Sequence, residues 1–207
     1  MSNFTFESNL TGTALETFEW DNSWIHHAND LETRRVLYIG DSISCGTRGC
    51  ATEAAEGKLL FDGFGTSKAV DNPFFFDSVR IFAMQIKNYS VVLFNNGLHG
   101  WHLDDTTEYP KFYEQMVVKL LEKFKGTPIA LLLTTSVADA ATEERVKVRN
   151  DEVKKIAEKY GLPIIDIYSV AVEFADLRSG DGVHYIGEGY KKFAEKIVGD
   201  ITRILNV

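Results

Sequence analysis

A serine follows an acidic residue at the point where an apolar run ends. The run at residues 36–39 stops at Gly40, and Asp41 and Ser42 follow at once. One interpretation is a buried strand followed by an ordinary turn, because Gly, Asp and Ser are common turn residues. The other is a nucleophile held at the carboxyl end of a strand, where open α/β sheets bind their ligands. The rest of the chain decides between the two.

A carboxylate and an imidazole stand three positions apart near the other end of the chain, at Asp181 and His184. A carboxylate beside an imidazole can hold one ring nitrogen as N–H while the other acts as a base. Asp-x-x-His alone is more typical of a surface turn. The end of the first sheet strand and the start of the last helix, however, both open onto the carboxyl edge of a doubly wound sheet. This coincidence favours one catalytic site.

The composition is that of a single globular domain. The chain has 207 residues, of which 44% are hydrophobic and 25% are charged, and this length can bury a sizeable core. The formal net charge of -8 argues against a nucleic-acid partner. The N-terminal residues lack the basic start and apolar core of a secretory signal, and no apolar run is long enough to span a bilayer. We therefore expect no membrane partner and, by default, a cytoplasmic location, with a removed signal left open.

Two cysteines, Cys45 and Cys50, follow the Gly-Asp-Ser motif closely. Two cysteines do not make a disulfide framework, and no cluster of Cys and His at zinc-binding spacing accompanies them. We predict two reduced thiols that pack locally, with no metal and no other cofactor.

Short apolar runs alternate with amphipathic stretches from residue 34 onward. The runs predict strands buried on both faces of a parallel sheet, at residues 36–39, 91–94, 129–133 and 164–167, with a weaker candidate at 59–61. The amphipathic stretches predict helices at residues 71–87, 109–125, 143–160 and 190–204. Such an alternation indicates βαβ units with right-handed crossovers. The predicted fold class is α/β.

The first 33 residues do not fit this alternation. Residues 4–8 are a possible edge strand, and residues 18–30 bring two tryptophans and two histidines together. Because tryptophan usually contributes packing area, we interpret residues 1–33 as a capping segment over the sheet edge or the helix ends. Residues 34–207 then form one domain.

The two motifs together resemble those of the SGNH (GDSL) hydrolase superfamily. Its first block is Gly-Asp-Ser after the first strand and its last block is Asp-x-x-His before the C-terminal helix; the matching residues are Gly40, Asp41, Ser42, Asp181 and His184. The resemblance extends from about residue 34 to the end of the chain. It implies a flavodoxin-like three-layer α/β/α sandwich with a parallel, roughly five-stranded sheet, and acyl hydrolysis of the esterase or lipase type.

The second and third blocks of the family match less closely. The second is a glycine in the loop after the second strand, for which the chain offers Gly65, with Gly63 as a rival. The third is usually Gly-x-Asn-Asp after the third strand, but the chain reads FNNGLHGWH, and Leu98 stands where a strict alignment places the Asn. This stretch resembles a Phe-Asn-x-Gly-Leu-His variant of the block. It makes Asn95 the candidate amide donor and Asn96 the fallback.

The residues around this third block have competing interpretations. A strand-terminating cap is an equally good interpretation of Asn95, because strand boundaries are uncertain in a sequence. We place Asn96, His99 and Trp101 at the substrate, the last as a ring that stacks on a sugar. His102 is a further candidate to line the cleft. A lone histidine is more often structural, so neither histidine is assigned a catalytic role.

The resemblance implies a mechanism for the remaining site residues. Ser42 is a poor nucleophile until His184 removes its proton, and Asp181 fixes the imidazole tautomer and stabilises the imidazolium. The backbone N–H groups of Ser42 and Gly65 and the side-chain amide of Asn95 form the oxyanion hole, each worth about 3 kcal/mol of barrier.

The other acidic residues near strand ends have separate interpretations. Asp41 orders the turn around the serine and is not the triad acid. Asp139, after the fourth predicted strand, and Asp166, at the end of the last one, stay open as alternative partners of the histidine.

Three functions follow from these observations. The first is a serine esterase that acts on a small-molecule or carbohydrate ester, such as an acetylated sugar. The second is a non-catalytic ligand- or carbohydrate-binding module with the same cleft. The third, a phosphate or nucleotide binder, ranks last because the chain has neither a G-x-x-x-x-G-K-[ST] loop nor a G-x-G-x-x-G fingerprint after a strand. Acyl transfer to an acceptor other than water stays open, as does the oligomeric state.

Overall fold

The computed structural model describes residues 12–206. Within that range one six-stranded sheet has the order β1-β3-β2-β4-β5-β6, and its strands are β1 Asp21–Trp24, β2 Arg34–Gly40, β3 Leu59–Thr66, β4 Val91–Phe94, β5 Ile129–Leu132 and β6 Ile164–Ile165. The helices are α1 Ser42–Ala54, α2 Phe75–Ala83, α3 Glu108–Lys123, α4 Ala140–Tyr160, α5 Ile167–Glu173 and α6 Gly187–Leu205. None of these helices is long and apolar enough to cross a bilayer.

Five of the six strands in the described range run parallel. β2 pairs with β3 on one side and with β4 on the other, and β5 and β6 continue the sheet. Taken in chain order, the parallel strands lie in the order 2-1-3-4-5, which is the flavodoxin-like arrangement with a switch point beside its first strand. The predicted fold class is therefore confirmed. This topology places ligands at the carboxyl end of β2.

A further strand extends the sheet at the β3 edge. β1 pairs antiparallel with β3, so that Asp21 lies opposite Thr66 and Trp24 lies opposite Gly63. The N-terminal segment thus covers the sheet edge by joining the sheet. The edge strand expected at residues 4–8 lies outside the described residues, and the division of the chain at residue 33 stays a prediction.

Apolar side chains are buried on both faces of the sheet, which gives three layers. In β2, Leu37 and Ile39 pack into one cluster, and Val36 and Tyr38 pack into the other, as the alternation of side chains along a strand requires. Helices α2, α3 and the second half of α4 cover the first face, and α1, α5 and α6 cover the second. Burial on both faces explains why the central strands are continuous apolar runs.

Two elements differ from the predicted pattern. No helix was predicted directly after Ser42, because the buried side of α1 includes Ser44 and Thr47 and lacks the apolar stripe of the other helices. The run at 164–167 predicted one strand, but Ile164 and Ile165 form β6 whereas Ile167 begins α5. Asp166 separates the two as a helix cap.

Local turn residues set the end of α4 and the start of α2. Gly161 is the C-cap of α4 with φ of 62°, a left-handed conformation that glycine adopts readily. Asn72 and Pro73 lie in a turn ahead of α2. Asn72 Oδ1 accepts a hydrogen bond from Phe74 N at 2.9 Å, and the helix begins at Phe75.

Candidate active site

Ser42 is the first residue of α1, two positions beyond the last residue of β2, Gly40. Asp41 is the N-cap of the helix: its backbone is extended, and its Oδ1 accepts a hydrogen bond from Ile43 N at 2.9 Å. Such side-chain acceptors satisfy the N–H groups that a helix start leaves open. The Ser42 hydroxyl is thus held at the carboxyl edge of the sheet and at the positive end of a helix.

Gly40 permits the tight turn from strand to helix. A Cβ at this position would lie 2.7 Å from Ser44 Cβ, a separation that real side chains do not tolerate. Ser44 in turn donates from Oγ to Asp41 O at 2.6 Å. The Gly-Asp-Ser motif is therefore a compact corner in which the glycine makes room and the aspartate caps the helix.

Ser42, His184 and Asp181 form a hydrogen-bonded chain. His184 Nε2 lies 2.7 Å from Ser42 Oγ, and His184 Nδ1 lies 2.7 Å from Asp181 Oδ2. The structure brings together the three residues that the sequence placed at one edge of the sheet. Their order along the chain of hydrogen bonds is the one that proton transfer from a serine hydroxyl requires.

The Asp181 carboxylate is held in its charged form. Backbone N–H groups of Val183 and His184 donate to Oδ1 at 2.9 Å, and the Ser179 hydroxyl donates to it at 2.7 Å. These hydrogen bonds hold the pKa of Asp181 well below its usual range. An ionised carboxylate only accepts, so His184 donates from Nδ1 to Asp181, and Nε2 is the ring nitrogen that faces the Ser42 hydroxyl.

The two alternative carboxylates lie at helix starts. Asp139 caps α4 and accepts from Thr142 N and Oγ1, and the bonds from Thr142 lower the pKa of Asp139. Asp166 caps α5 and accepts from Ser169 N and Oγ. Of the three carboxylates considered, the one hydrogen-bonded to His184 is Asp181.

Asp41 serves as a helix cap beneath the serine. Burial raises the pKa of Asp41, although the nearby His99 and His184 and the hydrogen bond from Ile43 N act in the opposite direction. Its Oδ2 is buried and has no hydrogen-bond partner within residues 12–206. A buried carboxylate with one unpaired oxygen is costly in its charged form.

The glycine predicted for the oxyanion hole lies in a strand, and the loop prediction for it is wrong. Gly65 is inside β3, opposite Gly40 of β2 and Asn22 of β1. A Cβ at Gly65 would lie 2.4 Å from Cys45 Sγ, so the glycine lets α1 pack closely on the strand. Cys45 and its neighbour Cys50 are free thiols, as predicted.

The rival glycine, Gly63, also lies in β3 and also admits a side chain of α1. A Cβ there would lie 2.3 Å from Arg48 Cδ. The apolar run at 59–61 predicted only the first part of β3, which continues to Thr66 through Asp62, two glycines and Phe64. Both glycines are therefore explained by helix packing.

The side-chain amide of Asn95 ties the ends of two strands together. Nδ2 donates to Leu132 O at 2.9 Å and to Thr134 Oγ1 at 3.0 Å. An amide nitrogen carries two hydrogens, and both are used in these bonds. In this structure neither hydrogen is directed at an oxyanion, and the arrangement favours the alternative interpretation of a residue that terminates the strand.

Asn96 and Leu98 do not supply the missing amide. Asn96 is fully buried and donates from Nδ2 to Lys68 O at 2.8 Å. Leu98 is itself buried, in the apolar cluster that contains Val137. An oxyanion at Ser42 is thus left with backbone donors, first among them the Ser42 N–H, since the first N–H groups of a helix have no intrahelical acceptor.

His99 is held by the N-terminal segment. Its Nδ1 lies 2.7 Å from Glu16 Oε1, and the Trp20 ring meets the imidazole edge-on with 6.3 Å between centroids. Burial disfavours the charged form of His99, but the hydrogen bond and charge of Glu16, with the charges of Asp41 and Glu19, outweigh it and raise its pKa. The sequence could not indicate Glu16, because 83 positions separate the pair.

His102, from the same loop, makes a similar contact with a carboxylate. Its Nε2 lies 2.8 Å from Asp71 Oδ2, in the segment between β3 and α2. Both histidines thus fasten the loop after β4 to a neighbouring segment. These carboxylate contacts favour a structural role for His99 and His102 over direct contact with a substrate.

Trp101 packs against two arginines of α4. The guanidinium carbons of Arg145 and Arg149 lie 4.8 and 4.6 Å from the centre of its ring, which is cation–π distance. The ring is half-buried, and side chains of helix α4 lie over it. The prediction that Trp101 stacks on a sugar is not supported by this packing.

Arg149 organises the loop after β4, and the sequence did not indicate it. The side chain is fully buried, and it donates to Gly97 O, His99 O and Gly100 O at 3.2, 2.6 and 2.8 Å, while Nε donates to Asp105 at 2.6 Å. A guanidinium presents five N–H groups in a rigid fork, which suits such a cluster of oxygens. The partners lie 44 to 52 positions away, so no local spacing marks the arginine.

Comparisons with known proteins give matches among solved structures alone. No protein-family model matches the chain, and no curated protein matches its sequence. A member of the lipolytic G-D-S-L family from Veillonella parvula is 18% identical with a TM-score of 0.68, and the match covers 83% of this chain and 100% of that one.

Two further structural neighbours act on acetyl groups, according to their names. A carbohydrate acetylesterase from Sinorhizobium meliloti is 12% identical with a TM-score of 0.66 over 83% of this chain and 100% of that one. The C-terminal catalytic domain of peptidoglycan O-acetyltransferase A from Streptococcus pneumoniae is 18% identical with a TM-score of 0.63 over 84% of this chain and 95% of that one. Likeness at 12 to 18% identity is likeness of fold. The chain has the fold of the SGNH/GDSL hydrolases, as the resemblance of its first and last motifs predicted.

Proposed function

We propose that the protein is a serine esterase that cleaves small carboxylic esters through an acyl-enzyme. The observation that carries the proposal is the continuous alignment of Ser42 Oγ, His184 and Asp181 with two contacts of 2.7 Å. Ser42 belongs to the first motif, whereas Asp181 and His184 belong to the last, and the contact between Ser42 and His184 joins the two motifs across 142 positions. A structural role explains no part of that contact. The likeness of fold to lipolytic and acetyl-ester hydrolases supports the same reaction class.

The reaction proceeds in two halves on these residues. Ser42 Oγ attacks the ester carbonyl carbon while its proton passes to His184 Nε2, and the carbonyl oxygen becomes an oxyanion. The imidazolium, stabilised by Asp181, gives that proton to the departing alkoxide as the carbon–oxygen bond breaks. Water then attacks the acyl-enzyme with the same histidine as base, and the carboxylic acid and the free Ser42 hydroxyl are restored.

The oxyanion is stabilised by backbone groups in this proposal. Asn95 and Asn96 both use their amides on carbonyl or hydroxyl oxygens of neighbouring segments. Removing one oxyanion donor typically costs about 10²–10³ in rate. We therefore expect slower turnover than in an esterase with a side-chain amide at this place.

An acetylated carbohydrate is the substrate class that we propose to test first. The fold neighbours named for carbohydrate and peptidoglycan acetyl groups support it. The packing of Trp101 against Arg145 and Arg149 does not, since that ring was the residue predicted to bind the sugar. The proposal of an acetylated carbohydrate thus depends on the likeness of fold.

A non-catalytic binding module is the second candidate function. The observation in its favour is the absence of an available side-chain amide from Asn95 or Asn96 beside Ser42. Transfer of the acyl group to an acceptor other than water is a variant of the first proposal, because it uses the same acyl-enzyme.

The decisive experiment is a hydrolysis screen with a labelling arm. The wild type and Ser42→Ala are tested on acetyl, butyryl and longer nitrophenyl esters and on acetylated sugars, and both are treated with a fluorophosphonate. We expect the wild type alone to hydrolyse at least one ester class and to carry the label on Ser42. Failure of both hydrolysis and labelling in folded wild-type protein would reject the esterase and favour the binding module.

A further inference from the structure

The segment that carries the acid and the base is a closed loop on a short stem. We name residues 179–184 the acid–base loop. Arg178 and Tyr185 pair across its base in an antiparallel bridge, and Ser179 N donates to His184 O at 2.7 Å just inside it. Asp181 accepts from two backbone N–H groups of the same loop. The loop therefore keeps Asp181 against His184 by its own hydrogen bonds.

The stem of this loop is bound to one residue after β5. The Arg178 guanidinium donates from Nη2 to Ser136 Oγ at 2.6 Å, and the Tyr185 hydroxyl donates to Ser136 O at 2.9 Å. The guanidinium also lies over the Tyr185 ring at 5.7 Å. Both stem residues thus bind Ser136: Arg178 binds the Ser136 side chain, and Tyr185 binds the Ser136 backbone.

The position of the stem is fixed further by its surroundings. Tyr185 is only 4% exposed, and its ring meets Phe193 of α6 edge-on with 4.8 Å between centroids. At the tip of the loop, Ala138 N donates to Gly182 O at 2.8 Å. Stem and tip are therefore both attached to the segment that follows β5.

Arg178 acts here as a hydrogen-bond donor. Within residues 12–206 it has no ion pair with a carboxylate, although it lies next to the loop that carries the Asp181 carboxylate. The guanidinium donates hydrogen bonds to the hydroxyls of Ser136 and Tyr185.

We propose that Arg178 and Tyr185 are positioning residues that dock the acid–base loop on Ser136 and thereby set the distance from His184 Nε2 to Ser42 Oγ. The inference rests on the proposed function. Ser42 belongs to α1, whereas His184 belongs to the loop, so the loop's internal bonds do not determine this distance. The docking of the stem contributes to it, because it connects the loop to the segment after β5, next to the direct packing of α6 on α1.

The energetic consequence follows from the sensitivity of proton transfer to geometry. A misplacement of about 1 Å at a reacting group can cost about 10²-fold in rate. Loss of one stem contact leaves Asp181 bonded to His184 and leaves the substrate-facing surface intact. The expected signature is a fall in kcat with KM unchanged and with no shift of the acid limb of the pH profile.

The test compares Tyr185→Phe and Arg178→Lys with a matched control. Tyr185→Phe removes the hydroxyl but keeps the ring that packs on Phe193, and Arg178→Lys keeps the charge but loses the fork. Tyr160→Phe is the control, because its hydroxyl bonds to Glu114 in α3. We expect kcat on the preferred nitrophenyl ester to fall between about tenfold and about a hundredfold in the first two variants and to stay at the wild-type value in the control.

A second measurement keeps the inference testable independently of turnover. The imidazole carbon-bound proton signals of His184 are recorded by NMR in the same variants. Broadened or split signals in Tyr185→Phe and Arg178→Lys, with sharp signals in wild type and Tyr160→Phe, support the docking role. Unchanged signals together with unchanged kcat overturn it while the esterase proposal stands. If the wild type hydrolyses nothing and Ser42 is not labelled, the esterase proposal fails, and the NMR comparison alone decides the docking inference.

Discussion

His184 Nε2 lies 2.7 Å from Ser42 Oγ although 142 positions separate the two residues in the chain. Ser42 is positioned by the capped start of α1 at the end of β2. His184 is positioned by a loop that rests on the segment after β5. The contact therefore reports the relative placement of β2 and β5 in the sheet, which is why it forms only in the folded protein.

The partner of His184 can be tested with three isosteric changes. Asp181→Asn should lower kcat/KM by about 10⁴-fold, because an amide can present N–H to the ring and favour the wrong tautomer. Asp139→Asn and Asp166→Asn should stay near wild type, since both residues are helix N-caps and asparagine caps a helix as well as aspartate. Ester hydrolysis rates with thermal unfolding controls make the comparison. If Asp139→Asn or Asp166→Asn loses most of its hydrolysis rate while Asp181→Asn keeps the wild-type rate, the acid that pairs with His184 is not Asp181.

The acid limb of the pH profile should follow one ionisation. Backbone N–H groups of Val183 and His184 hold the pKa of Asp181 well below its usual range, so this carboxylate stays charged throughout mild acid. Protonation of the His184 ring removes the acceptor for the Ser42 proton, and kcat/KM falls as the pH falls. A plot of log kcat/KM against pH should therefore approach a slope of about one on the acid side. A slope near two would mean that Asp181 titrates in the same range.

The contact of Ser42, His184 and Asp181 was predictable because each residue belongs to a short local motif. A serine at an abrupt strand end and an Asp-x-x-His before a helix each occupy a few adjacent positions, and the alternation of runs places both at one edge. Helix α1 was missed because Ser44, Thr47 and Arg48 lie on its buried side. Where buried positions are polar, the apolar periodicity that predicts helices is absent.

The support around the triad was not predictable for a different reason. Glu16 meets His99 across 83 positions, and Arg149 meets the loop after β4 across about 50. No spacing within one sequence marks such pairs. Asn95 had two interpretations, and only the positions of Leu132 and Thr134 decide between them.

The variant Asn95→Ala distinguishes two roles of the Asn95 side chain: linking the ends of two strands, and donating a hydrogen bond to the oxyanion. The change removes two hydrogen bonds, to Leu132 O and to Thr134 Oγ1, so the free energy of unfolding should fall by about 1–3 kcal/mol. The rate in folded protein should change by far less than the roughly 10²–10³-fold loss expected for an oxyanion donor. Denaturant unfolding and kcat are measured on the same preparation. A large loss of kcat without a loss of stability would restore Asn95 to the oxyanion hole.

Asp41→Asn should stabilise the protein at neutral pH. Burial raises the folded-state pKa of Asp41 above that of an unfolded chain, so its contribution to stability is present while it is protonated and is lost as the pH rises through the folded pKa. Asparagine keeps the acceptor for Ile43 N and carries no charge. The unfolding midpoint of the variant should exceed that of wild type at about pH 7.5, and the difference should shrink toward about pH 4, where a free aspartate protonates. A variant that is less stable at every pH contradicts this account.

The Glu16–His99 pair should make the attachment of the N-terminal segment pH-dependent. Both side chains are largely buried, at 14% and 13% exposed, and their contact raises the pKa of His99 against the effect of burial. A histidine whose folded-state pKa is raised contributes stability that is fully present below the unfolded pKa and is lost as the pH rises through the folded pKa. Glu16→Gln removes the charge that raises this pKa and keeps the size of the side chain. The difference in unfolding midpoint between wild type and Glu16→Gln should therefore be largest in mild acid and should decline as the solution becomes alkaline. A double-mutant cycle with Glu16→Gln and His99→Gln isolates the interaction energy of the pair. For neighbouring residues this coupling energy is about 0.5–3 kcal/mol. A coupling energy that is the same in mild acid and in alkaline solution would mean that the two side chains are joined by a neutral hydrogen bond.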